Sequence, residues 1–219
     1  MTPDDLAGLR DRYLAAQLAG DRREAVRLVL DGLTHGATVR TLTGSVIQAS
    51  QDEIGRLWQQ NRVTIAQEHM ATAISQLVLA ALFERAPAPP AIQRTIVIAC
   101  VEGELHELPA RLVADALQLD GFDVRYLGAN VPHDGLIALV HATQPDLVGL
   151  SVTMSFNVPA LRAAVARLRI ACSAPIFIGG HALRWAPKLA DELAVAAAGQ
   201  TLDEVVANAR RLVGIGDHA

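Results

Sequence analysis

Through the first 86 residues the apolar positions recur at helical spacing; beyond them they collect into short β-branched runs, and this change of period divides the sequence in two. Leu6, Leu9, Tyr13, Leu14 and Leu18 fall on one face of a helix, as do Ala25, Val26, Leu28, Val29 and Leu33. Val39, Leu42, Val46, Ile54 and Leu57 mark a third helix that closes at Trp58. A fourth starts after Gln59-Gln60-Asn61-Arg62, where Thr64 and Gln67 have capping-box spacing. Its body, Ile74 through Phe83, is apolar on nearly all sides, which predicts the most buried helix of a four-helix bundle. The bundle is expected to span residues 1–86, and the proline-rich stretch at 87–94 reads as an extended connector.

Residues 95–219 carry a different pattern. Thr95–Cys100, Asp123–Leu127, Leu147–Val152, Ile176–Ile178 and a weak Leu193–Val195 read as five strands. Helical stretches near 107–119, 133–143, 158–170, 182–189 and 201–213 alternate with them. Apolar strands alternating with helices indicate an α/β unit whose parallel sheet is covered on both faces. Ligands of such sheets bind beyond the carboxyl ends of the strands, so the loops after the first, third and fourth strands are the candidate site.

The loop after the first strand, Val101-Glu102-Gly103-Glu104-Leu105-His106-Glu107-Leu108-Pro109, lacks the glycine spacing of a dinucleotide-binding turn. It offers instead a histidine with a carboxylate two residues earlier. Such a pair suits metal ligation, because a carboxylate bonded to one imidazole nitrogen fixes the tautomer and raises the basicity of the other. A solvated histidine in a polar loop is the alternative. After the third strand, Ser151 and Thr153 present two hydroxyls; after the fourth, Gly179-Gly180 strips side chains from the backbone. Alone, each of these is also an ordinary cap or turn, but all three loops lie at one end of the expected sheet.

The combination Glu104-x-His106-x-x-Pro109, 41 intervening residues, Ser151-x-Thr153, 25 more, and Gly179-Gly180 resembles the cobalamin-binding signature DxHxxG, SxL, GG. Leu127-Gly128-Ala129-Asn130-Val131-Pro132 and the helices before the connector extend the resemblance over most of the chain. Glu104 stands where the signature has Asp, and Pro109 where it has Gly. The resemblance implies a flavodoxin-like, Rossmann-type five-stranded domain that binds cobalamin with His106 as the lower axial cobalt ligand. Ser151, Thr153, Gly179 and Gly180 would then form the slot for the displaced nucleotide tail.

Within the bundle, Trp58, nine residues, then Glu68-His69 is similar to the W-x9-EH motif of light-sensing adenosylcobalamin proteins of the CarH/LitR type. That resemblance implies that Trp58, Ile65, Glu68 and His69 contact the cofactor from its upper face, the tryptophan covering the adenosyl group. The histidine that follows the tryptophan in the best-known members is Gln59 here, a poor cobalt ligand, so the bis-histidine photoproduct of those members is not implied. Little chain precedes the first helix, so the DNA-binding domain that such regulators carry is not expected. The implied function is a non-enzymatic, light-sensing regulator acting through a protein partner or through self-association, in the manner of the AerR/PpaA type of antirepressor. A corrinoid methyl-carrier protein is the alternative, and a cobalamin chaperone or mutase subunit a weaker third. Adenosylcobalamin is the expected cofactor, with methyl- or hydroxocobalamin as alternatives.

Composition narrows the classes. In 219 residues, 51% are hydrophobic and 19% charged, with a net charge of −4, which excludes a disordered chain and a dedicated nucleic-acid surface. The longest apolar stretch, near Val78 to Phe83, is too short to cross a bilayer, and a cytoplasmic location is expected. Cys100 and Cys172 read as two buried thiols, and His35, His133, His141 and His218 as solvated side chains. His181 could touch the nucleotide tail, while Arg184 and Trp185 are expected to pack the helix after the fourth strand. No catalytic constellation is visible.

Overall fold

The computed structural model describes residues 1–216; His218 lies outside them. The chain forms two compact units, Met1–Pro87 and Ala88–Ala219, divided within the proline-rich stretch.

The first unit is helical. In α1 (Pro3–Ala19) and α5 (Ile65–Phe83) the capping residues Thr2 and Thr64 accept from the third residue of the helix, whose side chain accepts from the cap in return. Asp21 caps α2 (Arg22–Thr34). The third rod is α3 (Val39–Leu42), a π-helical stretch at Thr43–Gln48, and α4 (Ala49–Gln59), with helical dihedrals at both junctions. Apolar spacing does not reveal this wide turn; it adds a residue to a turn and so resets which face the rest of the rod presents. Leu9, Tyr13, Val29, Leu42, Ile47, Ile54, Ile74 and Val78 form the buried core. One expectation is corrected: α5 is not buried all round. Ile65, Met70 and Leu77 are exposed along it, because α1, α2 and α4 cover only the other side.

The second unit holds β1 (Thr95–Cys100), β2 (Asp123–Tyr126), β3 (Leu147–Ser151), β4 (Ile176–Gly179) and β5 (Ala196–Ala197), all parallel, in the order β2-β1-β3-β4-β5. The helices are α6 (Leu108–Leu119), α7 (His133–Thr143), α8 (Val158–Ala171), α9 (Ala182–Trp185), α10 (Leu189–Glu192) and α11 (Leu202–Leu212). Against one face of the sheet pack Leu136, Val140, Leu161, Val165 and Leu168 of α7 and α8. Strand register aligns the loops: Cys100 pairs with Ser151, and Ser151 with Gly179, so the loops after β1, β3 and β4 leave from one row at the carboxyl edge. The strand order reverses between β1 and β3, which makes this edge the topological switch point. The stretch before β1 is held to this unit where Ile92 N donates to Gly121 O at 2.8 Å; at Gly121, with φ of 111°, an added Cβ would lie 2.3 Å from Pro90 O.

Three further expectations are corrected. The last strand lies at Ala196–Ala197 rather than Leu193–Val195, since Ala194 (φ 48°) turns the chain back onto α10 through Ala194 N to Asp191 O. The helix expected over 182–189 is two short ones: Pro187 has no N–H, and Ala186 before it leaves the helical region at φ −126°. Trp185 does not pack a helix into the core; it is 71% exposed, its ring tilted against that of His181.

A buried ion pair ties α11 to the end of α6. Arg210 Nε donates to Asp120 Oδ2 at 2.7 Å, with the Arg210 side chain 4% exposed, and Arg210 Nη1 donates to Gly216 O. Arg210→Ala would leave the Asp120 carboxylate enclosed without this cation and is expected to remove about 3–5 kcal/mol of stability, read from urea denaturation. A loss below about 1 kcal/mol would mean the pair behaves as a surface contact.

Candidate functional site

The loop after β1 is built around a carboxylate with no solvent exposure. Glu104 Oε1 accepts from the backbone N–H of His106 at 3.0 Å and meets His106 Nδ1 at 2.6 Å. Its Oε2 accepts from Thr153 N and Met154 N, both at 2.9 Å, and from Asn157 Nδ2 at 3.0 Å. Burial alone would push this carboxyl up. The bonds from the His106 ring, Met154 N, Asn157 and His106 N outweigh it and hold the group at about 2. The extra methylene of Glu relative to Asp therefore costs no contact. Because Glu104 is ionised, the ring nitrogen facing it carries a proton, and the lone pair of the neutral imidazole is on Nε2, the nitrogen suited to a metal. The His106 side chain is 43% exposed.

Neighbouring loops are sewn to the same group. Asn130 N donates to Glu104 O, Asn130 Oδ1 accepts from Gly103 N at 2.8 Å, and Asn157 Nδ2 also reaches Gly103 O. Neither asparagine stands out in the sequence as carrying chemistry. Asn157 sits in a short 3-10 turn, Ser155–Asn157, with no periodicity to mark it; its distance of six residues after Ser151 is the available signal. Pro109 is accommodated in the first turn of α6, where its absent N–H has no role.

Beside the clamp, Ser151 Oγ and Thr153 Oγ1 are buried and satisfy no hydrogen-bond geometry within the protein. Buried hydroxyls are ordinarily satisfied, so two orphans on one loop point to an external partner. Ser151 also neighbours the Cys100 thiol, a weak partner whose pKa burial and the Glu104 and Glu107 carboxylates push up to about 12 against the smaller, opposing effect of the Ser151 hydroxyl, leaving it un-ionised. Next to Ser151, Gly179 and Gly180 form bare backbone. At Gly180, with φ of 104°, a Cβ would lie 2.2 Å from Val152 O, so only glycine permits this approach. A strip without side chains beside two unsatisfied hydroxyls fits a polar, flat ligand tail of the nucleotide kind. His181 is half-buried at its end, against Trp185.

In the helical unit, Trp58 at the end of α4 is 42% exposed and Ile65 at the start of α5 is 60% exposed, on either side of the turn that joins them. Glu68 Oε2 meets His69 Nδ1 at 2.6 Å, and Glu68 Oε1 accepts from Thr72 Oγ1 at 3.0 Å. A tryptophan of the core is thereby excluded for Trp58, and Glu68 and His69 form a contacting pair.

Other residues are placed differently from expectation. His133 is not solvated: its Nδ1 meets Glu102 Oε2 at 2.9 Å and its Nε2 meets Ala160 O at 3.0 Å, because the first turn of α7 faces α8. His35 and His141 are exposed. Cys100 is buried, whereas Cys172, at the end of α8, is only half-buried. Among the described residues no three His, Cys, Asp or Glu side chains gather to hold a metal by themselves, and no helix is long and apolar enough to cross a membrane.

A sequence profile described as a B12 binding domain matches residues 94–207, and a second of the same description matches residues 9–83. The HTH-type transcriptional repressor CarH of Myxococcus xanthus is 31% identical over 188 residues, which cover 85% of this chain and 62% of that protein. This chain thus spans less than two thirds of that relative. Dimethylamine corrinoid protein 1 of Methanosarcina acetivorans is 26% identical over 172 residues, covering 76% of this chain and 80% of the relative. The monomethylamine corrinoid protein of Methanosarcina barkeri has the same fold, with a TM-score of 0.78 at 17% identity over 94% of this chain and 99% of that one.

The depressed Glu104 carboxyl makes an acid-stability prediction. A group with a folded pKa of about 2 and an unfolded value near 4.5 binds fewer protons when folded. Its contribution, on the order of 3 kcal/mol, is complete well above pH 4.5 and is lost as pH falls toward 2. In urea titrations of cofactor-free protein, the deficit of Glu104→Gln relative to wild type is expected to shrink across that window. A deficit that stays constant from pH 6 to pH 3 would show that the carboxylate is not specifically held.

Proposed function

The chain belongs to the B12 binding domain family, and from that premise we propose that it is a non-enzymatic, cytoplasmic adenosylcobalamin sensor that responds to light and signals through a protein partner or self-association. His106 would ligate cobalt through Nε2, with Glu104 fixing its ring. Ser151 and Thr153 would donate to the nucleotide tail as it lies along Gly179 and Gly180. Those two hydroxyls, buried and unsatisfied, are the observation in favour of a displaced tail rather than a base that stays on the metal.

When bound, adenosylcobalamin supplies a cobalt–carbon bond that visible light cleaves. The rest falls to the chain. Trp58 offers an exposed indole face on which an adenine can stack, with Ile65 beside the same turn. Glu68 is an acceptor for ribose hydroxyls, and His69 neighbours it. The observation that carries the sensing reading is this group: a large apolar side chain left 42% exposed at the end of α4, and an ordered carboxylate in the first turn of the helix that follows, which a methyl ligand would not use. Loss of the adenosyl group would expose Trp58 and change the surface that the bundle offers to a partner.

The likeness to dimethylamine corrinoid proteins supports a second reading, a methyl carrier that presents its cofactor to methyltransferases. Spectra and gel filtration separate the two. A sensor is expected to retain adenosylcobalamin in the dark, to change its absorbance irreversibly under green light, and to change its elution volume alone or with its partner. Tighter retention of methylcobalamin with light-independent elution would favour the carrier. In either case His106→Ala is expected to give a base-off spectrum and at least tenfold weaker retention of cobalamin; an unchanged spectrum would remove His106 as the ligand.

A further inference from the structure

We propose that Thr72 and Gln51 are positioning residues for Glu68, and that by fixing its carboxylate they set the preference for an upper ligand that carries hydroxyl donors, a nucleoside, over a methyl group. This rests on the adenosylcobalamin reading above and assigns its selectivity to two residues outside the W-x9-EH motif.

Hydrogen-bond supply decides the arrangement. Gln51 Nε2 donates to Ala71 O at 3.2 Å and to Ser75 Oγ at 2.8 Å. A backbone carbonyl only accepts, so the amide cannot be turned over, and Gln51 Oε1 must face the other way, toward Thr72 Oγ1 at 3.4 Å. Ser75 Oγ also accepts from Gln17 Nε2 at 2.9 Å. With both lone pairs used, its proton goes to Tyr13 OH at 3.0 Å, on a phenol that is fully buried. Tyr13 and Gln17 on α1, Gln51 on α4 and Ser75 on α5 thus form one assigned polar layer, and Gln51 is anchored from the core side.

Thr72 stands at the outer edge of that layer, one helical turn beyond Glu68. Its single proton faces two acceptors, Glu68 Oε1 at 3.0 Å and Gln51 Oε1 at 3.4 Å. The proton is shared between them in a three-centre bond that favours the nearer Glu68 oxygen. Glu68 therefore has one oxygen held by Thr72 and the other by His69 Nδ1, its side chain is 22% exposed, and its remaining lone pairs can accept from a ligand. Ribose hydroxyls are such donors, whereas a methyl group has none. A carboxylate already ordered loses little side-chain entropy on accepting them, which is where the selectivity arises. The phase of Gln51 in its helix depends on the π-helical stretch Thr43–Gln48 just before it, a feature that recurs at functional sites.

Dissociation constants of adenosyl- and methylcobalamin, measured in the dark by equilibrium dialysis, test this. Wild type is expected to prefer adenosylcobalamin. Thr72→Val, close in shape, is expected to weaken adenosylcobalamin about tenfold and leave methylcobalamin within twofold. Thr72→Ser, which keeps the hydroxyl, restores the preference, and Gln51→Leu lowers it in part. If Thr72→Val weakens both cobalamins equally, or neither, while wild type still prefers the adenosyl form, the positioning role is wrong and the sensor reading stands. If wild type shows no preference, both fail. Thermal midpoints of the cofactor-free variants, expected within a few degrees of wild type, separate misfolding from lost selectivity.

Discussion

Everything at the carboxyl edge of the sheet depends on one buried anion. Glu104 is enclosed, and its two oxygens face five nitrogen donors drawn from the loops after β1 and β3. An enclosed carboxylate is costly unless each lone pair is engaged, so the loops have little freedom to rearrange without exposing it. The same bonds that satisfy the charge set the tautomer of His106 and hold Thr153 and Asn157 in place. Asn130 adds the loop after β2 through Gly103 and the backbone of Glu104. A single residue thereby gathers the loops after β1, β2 and β3 into one rim, and the pairing of Cys100, Ser151 and Gly179 brings the loop after β4 alongside.

The helical unit solves a related problem in another way. Its centre contains a layer of neutral polar groups, Tyr13, Gln17, Gln51 and Ser75, joined by hydrogen bonds, in which Gln17 Oε1 alone of these groups' polar atoms is buried without a partner. Such a layer fixes helix register more sharply than an apolar core would, because a slip of one residue leaves several groups unsatisfied. It also runs outward through Thr72 to Glu68, so the group proposed to meet the upper ligand is referenced to the core rather than to a mobile surface.

Much of this is legible in the sequence. Four helical rods follow from the period of residues such as Leu9, Tyr13, Ile54 and Leu57, and the parallel sheet from runs such as Ile96–Ala99. The pair Glu104 and His106 is visible because a two-residue spacing lets one side chain reach the other. What stays hidden depends on distance in sequence. Asn157 reaches Glu104 across 53 residues, His133 is held by Ala160 on another helix, and Gln51 acts on Thr72 across 21 positions. The π-helical turn leaves apolar spacing almost unchanged. The displaced last strand and the split helix have local causes: apolar content at Leu193–Val195 masks the turn at Ala194, and Pro187 interrupts residues that otherwise favour a continuous helix.

The central claim is that His106, fixed by Glu104, is the ligand on which the cofactor sits. Electron paramagnetic resonance of the protein loaded with cob(II)alamin, with and without nitrogen-15 histidine, measures this most directly. Coordination by His106 predicts that each cobalt line is a triplet in unlabelled protein and becomes a doublet when histidine is labelled. A triplet that persists in the labelled protein would place the cofactor's own base on the metal and contradict the account.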